Sequence, residues 1–145
     1  MAKLILFICT ENSARSQMAE GFFNHHINKA KNTDNKTKKA RKIKKYIAIS
    51  AGTNPSSGVK VNAIIVMKEK NIDISKNKPK MLTMEMTDNA YKIFTMGCIK
   101  GCAVTPANKT IDWNLEDPAG KPIEKFREIR DEIEKRVKKL IDELE

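Results

Sequence analysis

The sequence predicts an α/β fold in which a four-stranded parallel sheet is covered by helices on both faces. Short apolar runs alternate along the chain with segments whose apolar residues recur at helical spacing. The first run, residues 4–8, is unbroken, as expected for a strand that is buried on both faces. At 145 residues the chain has room for one domain with a real core, and it shows no repeat or second domain.

The elements are expected in the following order. Strands are predicted over residues 4–8, 46–50, 91–96 and 111–113, where short apolar runs lie between turn residues. Helices are predicted from residue 17 onward, over 61–71 and over 123–144, with a short helix or turn at 81–86 and an extended piece at 72–74. The last helix is the clearest because one apolar stripe runs along its whole length.

Charge and cysteine content restrict the class of protein. The net charge is +10, and residues 29–45 carry nine Lys and Arg against one acid, Asp34. We interpret these residues as a basic, solvated insertion, either a loop or a fraying helix extension. The alternative is a surface for nucleic acid or an acidic partner; the segment contains no aromatic residue to stack on a base.

Three cysteines are an odd number, which argues against a secreted disulfide framework. No apolar run reaches the length of a membrane span. We therefore expect a cytoplasmic protein with no membrane partner, and we expect no nucleic-acid partner.

The segment between the first strand and the first helix carries the chemistry. It reads Cys9, Thr10, Glu11, Asn12, Ser13, Ala14, Arg15 and Ser16. A helix start presents free N–H groups that bind oxyanions, and Arg15 adds a planar fork that matches two oxygens of a phosphate-like group. The same positive field stabilises a thiolate at Cys9, which makes it a nucleophile towards a bound oxyanion. The alternative is a buried structural cysteine beside a solvated arginine.

Three more residues are candidates. Asp117, before Pro118, lies in the loop ahead of the last helix and could protonate a leaving oxygen, although Asp-Pro pairs also simply start turns. Cys98 and Cys102 follow the third strand in a stretch with two glycines, which permits the thiols to approach each other. Half of a zinc site and two free structural cysteines remain as alternatives for this pair.

These motifs resemble those of the low-molecular-weight protein tyrosine phosphatases and of the thioredoxin-coupled arsenate reductases that share their flavodoxin-like fold. The reductase branch is matched further by blocks at residues 16–21, 50–52, 72–75 and 117–120. Two loop positions depart from the commonest pattern: Glu11 stands where Gly is usual, and Ala14 where a second Cys often lies. Glu11 therefore places a carboxylate at the mouth of the anion site.

The resemblance implies an arsenate reductase. Cys9 would attack arsenate, Cys98 would attack the thiol-arsenate adduct and release arsenite, and Cys102 would close a disulfide with Cys98. Thioredoxin or a similar thiol would then reduce that disulfide. The alternative is a tyrosine phosphatase that uses Cys9, Arg15 and Asp117 alone, with Asp117 as general acid; Ala119 and Gly120, where tyrosine-specific relatives carry aromatic residues, favour the small oxyanion.

Some members of this family also hold potassium beside the loop. Asn12, Glu20 and Ser50 match its ligand positions, but Lys78 and Lys80 stand near the remaining ones. Because a lysine repels a cation, we expect no metal and no other cofactor.

Overall fold

The four strands form one parallel sheet in the computed structural model, which describes residues 2–32, 38–97 and 105–144. The strands are β1 (Lys3–Cys9), β2 (Tyr46–Gly52), β3 (Ala90–Thr95) and β4 (Thr110–Asp112), in the order β2-β1-β3-β4. β1 is an inner strand with a neighbour on each side, which explains why its residues 4–9 are apolar. At the carboxyl edge of the sheet, Cys9 pairs with Gly52.

The described residues form five α-helices: α1 (Arg15–Lys31), α2 (Lys38–Ile43), α3 (Val61–Lys68), α4 (Met84–Asn89) and α5 (Ile123–Glu143). Alternate residues of β1 point to opposite faces. Ile5 and Phe7 belong to the larger core, which α1, α3 and α5 cover. Leu6 and Ile8 belong to a second cluster, closed by the segment that leads into α4. The predicted parallel sheet with helices on both faces is therefore confirmed.

The two long helices behave as their sequences predict. α5 buries the apolar stripe of its 21 residues, and α1 buries Met18, Phe22, Phe23 and Ile27. α3 ends at Lys68, earlier than expected, and the chain turns at Asn71, whose φ of 63° lies in the left-handed region that Asn tolerates. Beyond that turn the backbone is irregular, and the side chains of Ile72 and Ile74 are buried in the core.

The described parts of the basic segment at residues 29–31 and 38–43 are helical. α1 runs on to Lys31, and α2 places Ile43 in the core with 8% of its surface exposed. The segment leads into Tyr46 at the amino edge of the sheet, opposite Cys9. Residues 33–37, and likewise Cys98 and Cys102, lie outside the described residues.

No helix in the described ranges combines the length and the apolar character that a membrane span requires.

Candidate active site

The loop between β1 and α1 is held in place by the segment that follows β2. Backbone N–H groups of Asn54, Ser56 and Lys60 donate to the carbonyl oxygens of residues 10, 11 and 13 at 2.8, 3.0 and 2.8 Å. Gly52 permits this contact, because a Cβ there would lie 2.6 Å from the Thr10 carbonyl oxygen. The carboxyl ends of two neighbouring strands therefore fix the loop.

The sulphur of Cys9 is buried among hydrogen-bond donors. Its Sγ lies 2.9 Å from the Ser16 hydroxyl oxygen and accepts the backbone N–H of Asn12 at 3.2 Å. Asn12 adopts a left-handed backbone with φ 53°, and its amide donates to Ser16 Oγ at 2.7 Å. Because that amide occupies an acceptor site of the hydroxyl, the Ser16 hydroxyl proton is free to be donated to the Cys9 sulphur.

Arg15 is buried and its guanidinium is oriented by main-chain oxygens. Nη1 donates to the carbonyls of Met96 and Leu115 at 2.5 and 3.0 Å. Nη2 lies 3.7 Å from Asp117 Oδ2. A carbonyl just after β3 and a carbonyl in the loop after β4 thus hold Nη1 of the guanidinium, while Nη2 faces Asp117.

These residues surround a small cavity of about 20 Å³ at the start of α1. It is lined by Cys9, Thr10, Glu11, Ser13, Ala14, Arg15, Lys60, Asp117 and Ala119. Ala14, the residue that precedes α1, has no side-chain oxygen with which to cap the helix. The first N–H groups of α1 are therefore available to an anion, which the helix dipole also favours.

Asp117 stands at the rim of the cavity with 55% of its side chain exposed. Its Oδ1 accepts the backbone N–H of Ala119 at 3.0 Å, so the residue also forms the turn that its Asp-Pro sequence predicts. The same conformation leaves Oδ2 on the side of Arg15. The position suits a group that exchanges a proton with a leaving oxygen.

Behind the loop, the positions that resemble a potassium site are filled by protein donors. Asn12 Oδ1 accepts N–H groups from Gln17 and from the Lys80 backbone, and Ser50 donates to Glu20 at 2.9 Å. The Lys80 ammonium lies 3.8 Å from Glu20 Oε1. Because an ammonium already faces this carboxylate, these residues do not fit a monovalent cation. Nor does any group of three or more His, Cys, Asp and Glu side chains in the described ranges form a metal site.

The structure thus brings Cys9, Arg15, Asp117 and the loop residues at positions 10, 11, 13 and 14 to one cavity. The other two predicted loop residues, Asn12 and Ser16, do not line it and instead contact the Cys9 sulphur. It adds a residue that sequence reasoning missed, Lys60, which lines the same cavity. The only sequence signal was its place directly before α3. Cys98 and Cys102 lie outside the described residues; the described chain reaches Met96, whose carbonyl accepts from Arg15.

Known proteins are similar to this chain over nearly its whole length. The family described as low molecular weight phosphotyrosine protein phosphatase matches residues 4–145. An arsenate reductase of Brevibacillus brevis is 35% identical over 144 residues, which are 97% of this chain and 95% of that protein.

Two solved structures are similar over nearly the whole chain. The low molecular weight protein tyrosine phosphatase from T. tengcongensis has a TM-score of 0.80 at 29% identity, and the match covers 99% of this chain and 100% of that one. The thioredoxin-dependent arsenate reductase of Corynebacterium glutamicum has a TM-score of 0.73 at 28% identity, covering 97% of this chain and 61% of that one. The family resemblance expected from the sequence is confirmed, and the chain belongs to the low molecular weight phosphotyrosine protein phosphatase family.

Proposed function

We propose that this protein is an arsenate reductase. The observation that carries the proposal is the sulphur of Cys9, buried under a small anion cavity with Arg15 and the free N–H groups of α1 around it. Arsenate reductases at 35% identity and nearly full coverage support this substrate. The small Ala119, which lines the cavity where a phosphotyrosine ring would need an aromatic contact, supports an inorganic oxyanion over an aryl ester.

The proposed reaction begins at Cys9. Its thiolate attacks arsenic and displaces one oxygen as water, giving a sulphur–arsenic(V) bond. The Cys98 thiolate then attacks the Cys9 sulphur; the sulphur–arsenic electron pair goes to arsenic, arsenite leaves, and a Cys9–Cys98 disulfide forms. Cys102 attacks Cys98 in turn, which returns the Cys9 thiolate and leaves a Cys98–Cys102 disulfide. Two thiols are thus oxidised for each arsenate reduced.

We further propose that thioredoxin, or a similar dithiol, reduces the Cys98–Cys102 disulfide. The support is the thioredoxin-dependent reductase of the same fold from C. glutamicum. In this chain the cysteines follow Met96, whose carbonyl contacts Arg15.

A phosphatase is the second candidate function. The observation that favours it is the position of Asp117 at the cavity rim, 3.7 Å from Arg15, where it could protonate the leaving oxygen of a phosphoester. Cys9 would then form a phosphocysteine that water hydrolyses. This reaction needs neither Cys98 nor Cys102.

A single-turnover experiment separates the two functions. We expect reduced protein mixed with arsenate, without an external reductant, to yield about one arsenite per protein and a Cys98–Cys102 disulfide detectable by mass spectrometry. Cys98→Ser should stop arsenite formation. Hydrolysis of para-nitrophenyl phosphate should survive both Cys98→Ser and Cys102→Ser. Arsenite formation at the wild-type rate by Cys98→Ser would contradict the relay and favour the phosphatase.

A further inference from the structure

The anion cavity has a second cation, Lys60, that lies outside the loop motif. Lys60 lines the cavity together with Arg15. Its backbone N–H donates to the Ser13 carbonyl at 2.8 Å. This bond holds the backbone of residue 60 against the loop and does not depend on the side-chain conformation. Its ammonium lies 3.6 Å from the carboxylate of Glu11.

The charges around the cavity form two pairs. Arg15 faces Asp117 at 3.7 Å, and Lys60 faces Glu11 at 3.6 Å. An entering oxyanion is attracted by both cations and repelled by both carboxylates, Asp117 and Glu11, since like charges disfavour each other. Lys60 is therefore the charge that offsets the carboxylate which this chain carries in place of the usual glycine.

The Lys60–Glu11 pair is easily broken. The two side chains are 33% and 44% exposed, and ion pairs with this exposure contribute little to stability because water and salt screen them. A better acceptor in the cavity can therefore take the ammonium from Glu11 at small cost.

We propose that Lys60 is a specificity-determining residue of the oxyanion site. Its ammonium leaves Glu11 for a bound tetrahedral dianion, so that the cavity prefers doubly charged oxyanions to singly charged ions of the same shape. Glu11 sets the strength of this preference by competing for the same ammonium. The inference rests on the proposed function for the class of ligand, and it adds the residue that selects the charge of that ligand.

Sulfate and perchlorate test the proposal, because both are tetrahedral and they carry two charges and one. The measurement is the concentration of each ion that halves the rate at which iodoacetamide labels Cys9, at constant ionic strength. In Lys60→Met we expect this concentration to rise about tenfold for sulfate and less than about threefold for perchlorate. Glu11→Gln should lower it for sulfate, and Lys60→Arg should keep the wild-type preference.

Lys121→Met is the matched control. Lys121 lines a neighbouring pocket together with Lys60, but it pairs with Glu116 and does not line the anion cavity. Its loss should therefore change the half-protecting concentrations of both ions only slightly. Equal losses for sulfate and perchlorate in Lys60→Met, the same sulfate loss in Lys121→Met, or weaker sulfate binding by Glu11→Gln would each overturn the proposal. So would the absence of any sulfate protection in the wild-type protein.

The readout needs no turnover. If the arsenite experiment fails while the sulfate–perchlorate difference depends on Lys60, the reductase is wrong and the role of Lys60 stands. If arsenite forms and the sulfate–perchlorate difference does not depend on Lys60, the reductase stands and the role of Lys60 is wrong.

Discussion

The hydroxyl oxygen of Ser16, the second residue of α1, lies 2.9 Å from the sulphur of Cys9 at the end of β1. A hydrogen bond from a hydroxyl to a thiolate is charge-assisted, and such a bond is stronger than one between two neutral groups. The amide of Asn12 directs that hydroxyl by donating to its oxygen at 2.7 Å.

The first prediction follows from this contact. Ser16→Ala removes the donor, and we expect labelling of Cys9 by iodoacetamide near neutral pH to slow by about tenfold, since hydrogen bonds to charged groups contribute about 1.5–3 kcal/mol. The labelling rate, followed by peptide mass spectrometry, measures it. The exposed Ser57→Ala serves as control and should label at the wild-type rate. An unchanged rate in Ser16→Ala would show that this hydroxyl does not stabilise the thiolate.

The second prediction separates binding from chemistry at the cavity. Cys9→Ser should bind phosphate as the wild-type protein does and lose turnover, because the N–H groups and Arg15 remain. Arg15→Lys should lose much of both, since one ammonium cannot replace a guanidinium that donates to Met96, Leu115 and an oxyanion together. Calorimetric titration with phosphate and a turnover assay measure the two effects. Wild-type phosphate affinity in Arg15→Lys would refute the bidentate role.

Sequence reasoning located the parts of this site that are contiguous in the chain. The apolar run of β1 and the helical spacing of α1 dictate that residues 10–14 join them, so Cys9 and Arg15 had to meet at a helix start. The contacts between segments that are distant in the chain could not be predicted from local sequence patterns. The oxygens of Met96 and Leu115 hold Arg15 only because β3 and the loop after β4 end beside it, and no local pattern encodes that approach.

Two features of the structure were not predicted, for a similar physical reason. Lys60 appears in the sequence as one basic residue among many, and only the docking of residues 53–60 on the loop brings its ammonium to the cavity. In the basic segment, one buried isoleucine, Ile43, anchors α2. Ala40 is the other apolar residue of α2, and two apolar residues among cations are too few to produce a recognisable periodicity.

The third prediction concerns the cation behind the loop. Because the Lys80 ammonium faces Glu20 at 3.8 Å, exchanging potassium for sodium at constant ionic strength should leave turnover unchanged. Lys80→Met removes that charge, and the partners of Glu20 that remain among the described residues are the neutral donors Ser50 and Asn77. Turnover of this variant should fall and should respond to potassium. Lys78→Met is the control, since no ion pair joins that exposed residue to Glu20. Stimulation of the wild-type protein by potassium would contradict the prediction.

The fourth prediction is a pH dependence of stability. Hydrogen bonds from Arg127 and then Arg130 lower the pKa of Glu69 from 4.5 to about 2. A carboxylate whose pKa is depressed in the folded state stabilises the fold above its unfolded pKa and loses that contribution as pH falls through its folded pKa. The Glu69 contribution should therefore be complete above pH 4.5 and decline towards pH 2.

Urea unfolding of the wild-type protein and of Glu69→Gln measures the contribution of Glu69 to the free energy of unfolding. Glu69→Gln should be less stable at about pH 6, and the difference should shrink at about pH 3 as the wild-type carboxylate takes up a proton. The exposed Glu85→Gln on α4 should show little difference at either pH. A difference between wild type and Glu69→Gln that grows as pH falls would contradict the assignment.

The last prediction addresses the basic segment, which enters the sheet at the edge opposite Cys9. We propose that its charge is dispensable for catalysis, because Lys29, Lys31, Lys38 and Lys45 are exposed and far from the cavity. Replacing these four by Gln should leave kcat/KM for arsenate unchanged. By contrast, Ile43→Ala opens a space in the core and should lower the free energy of unfolding by about 2–5 kcal/mol. Steady-state assays and urea unfolding of both variants measure these outcomes. A several-fold loss of kcat/KM in the four-Gln variant, at unchanged stability, would instead give the charge a role in the reaction.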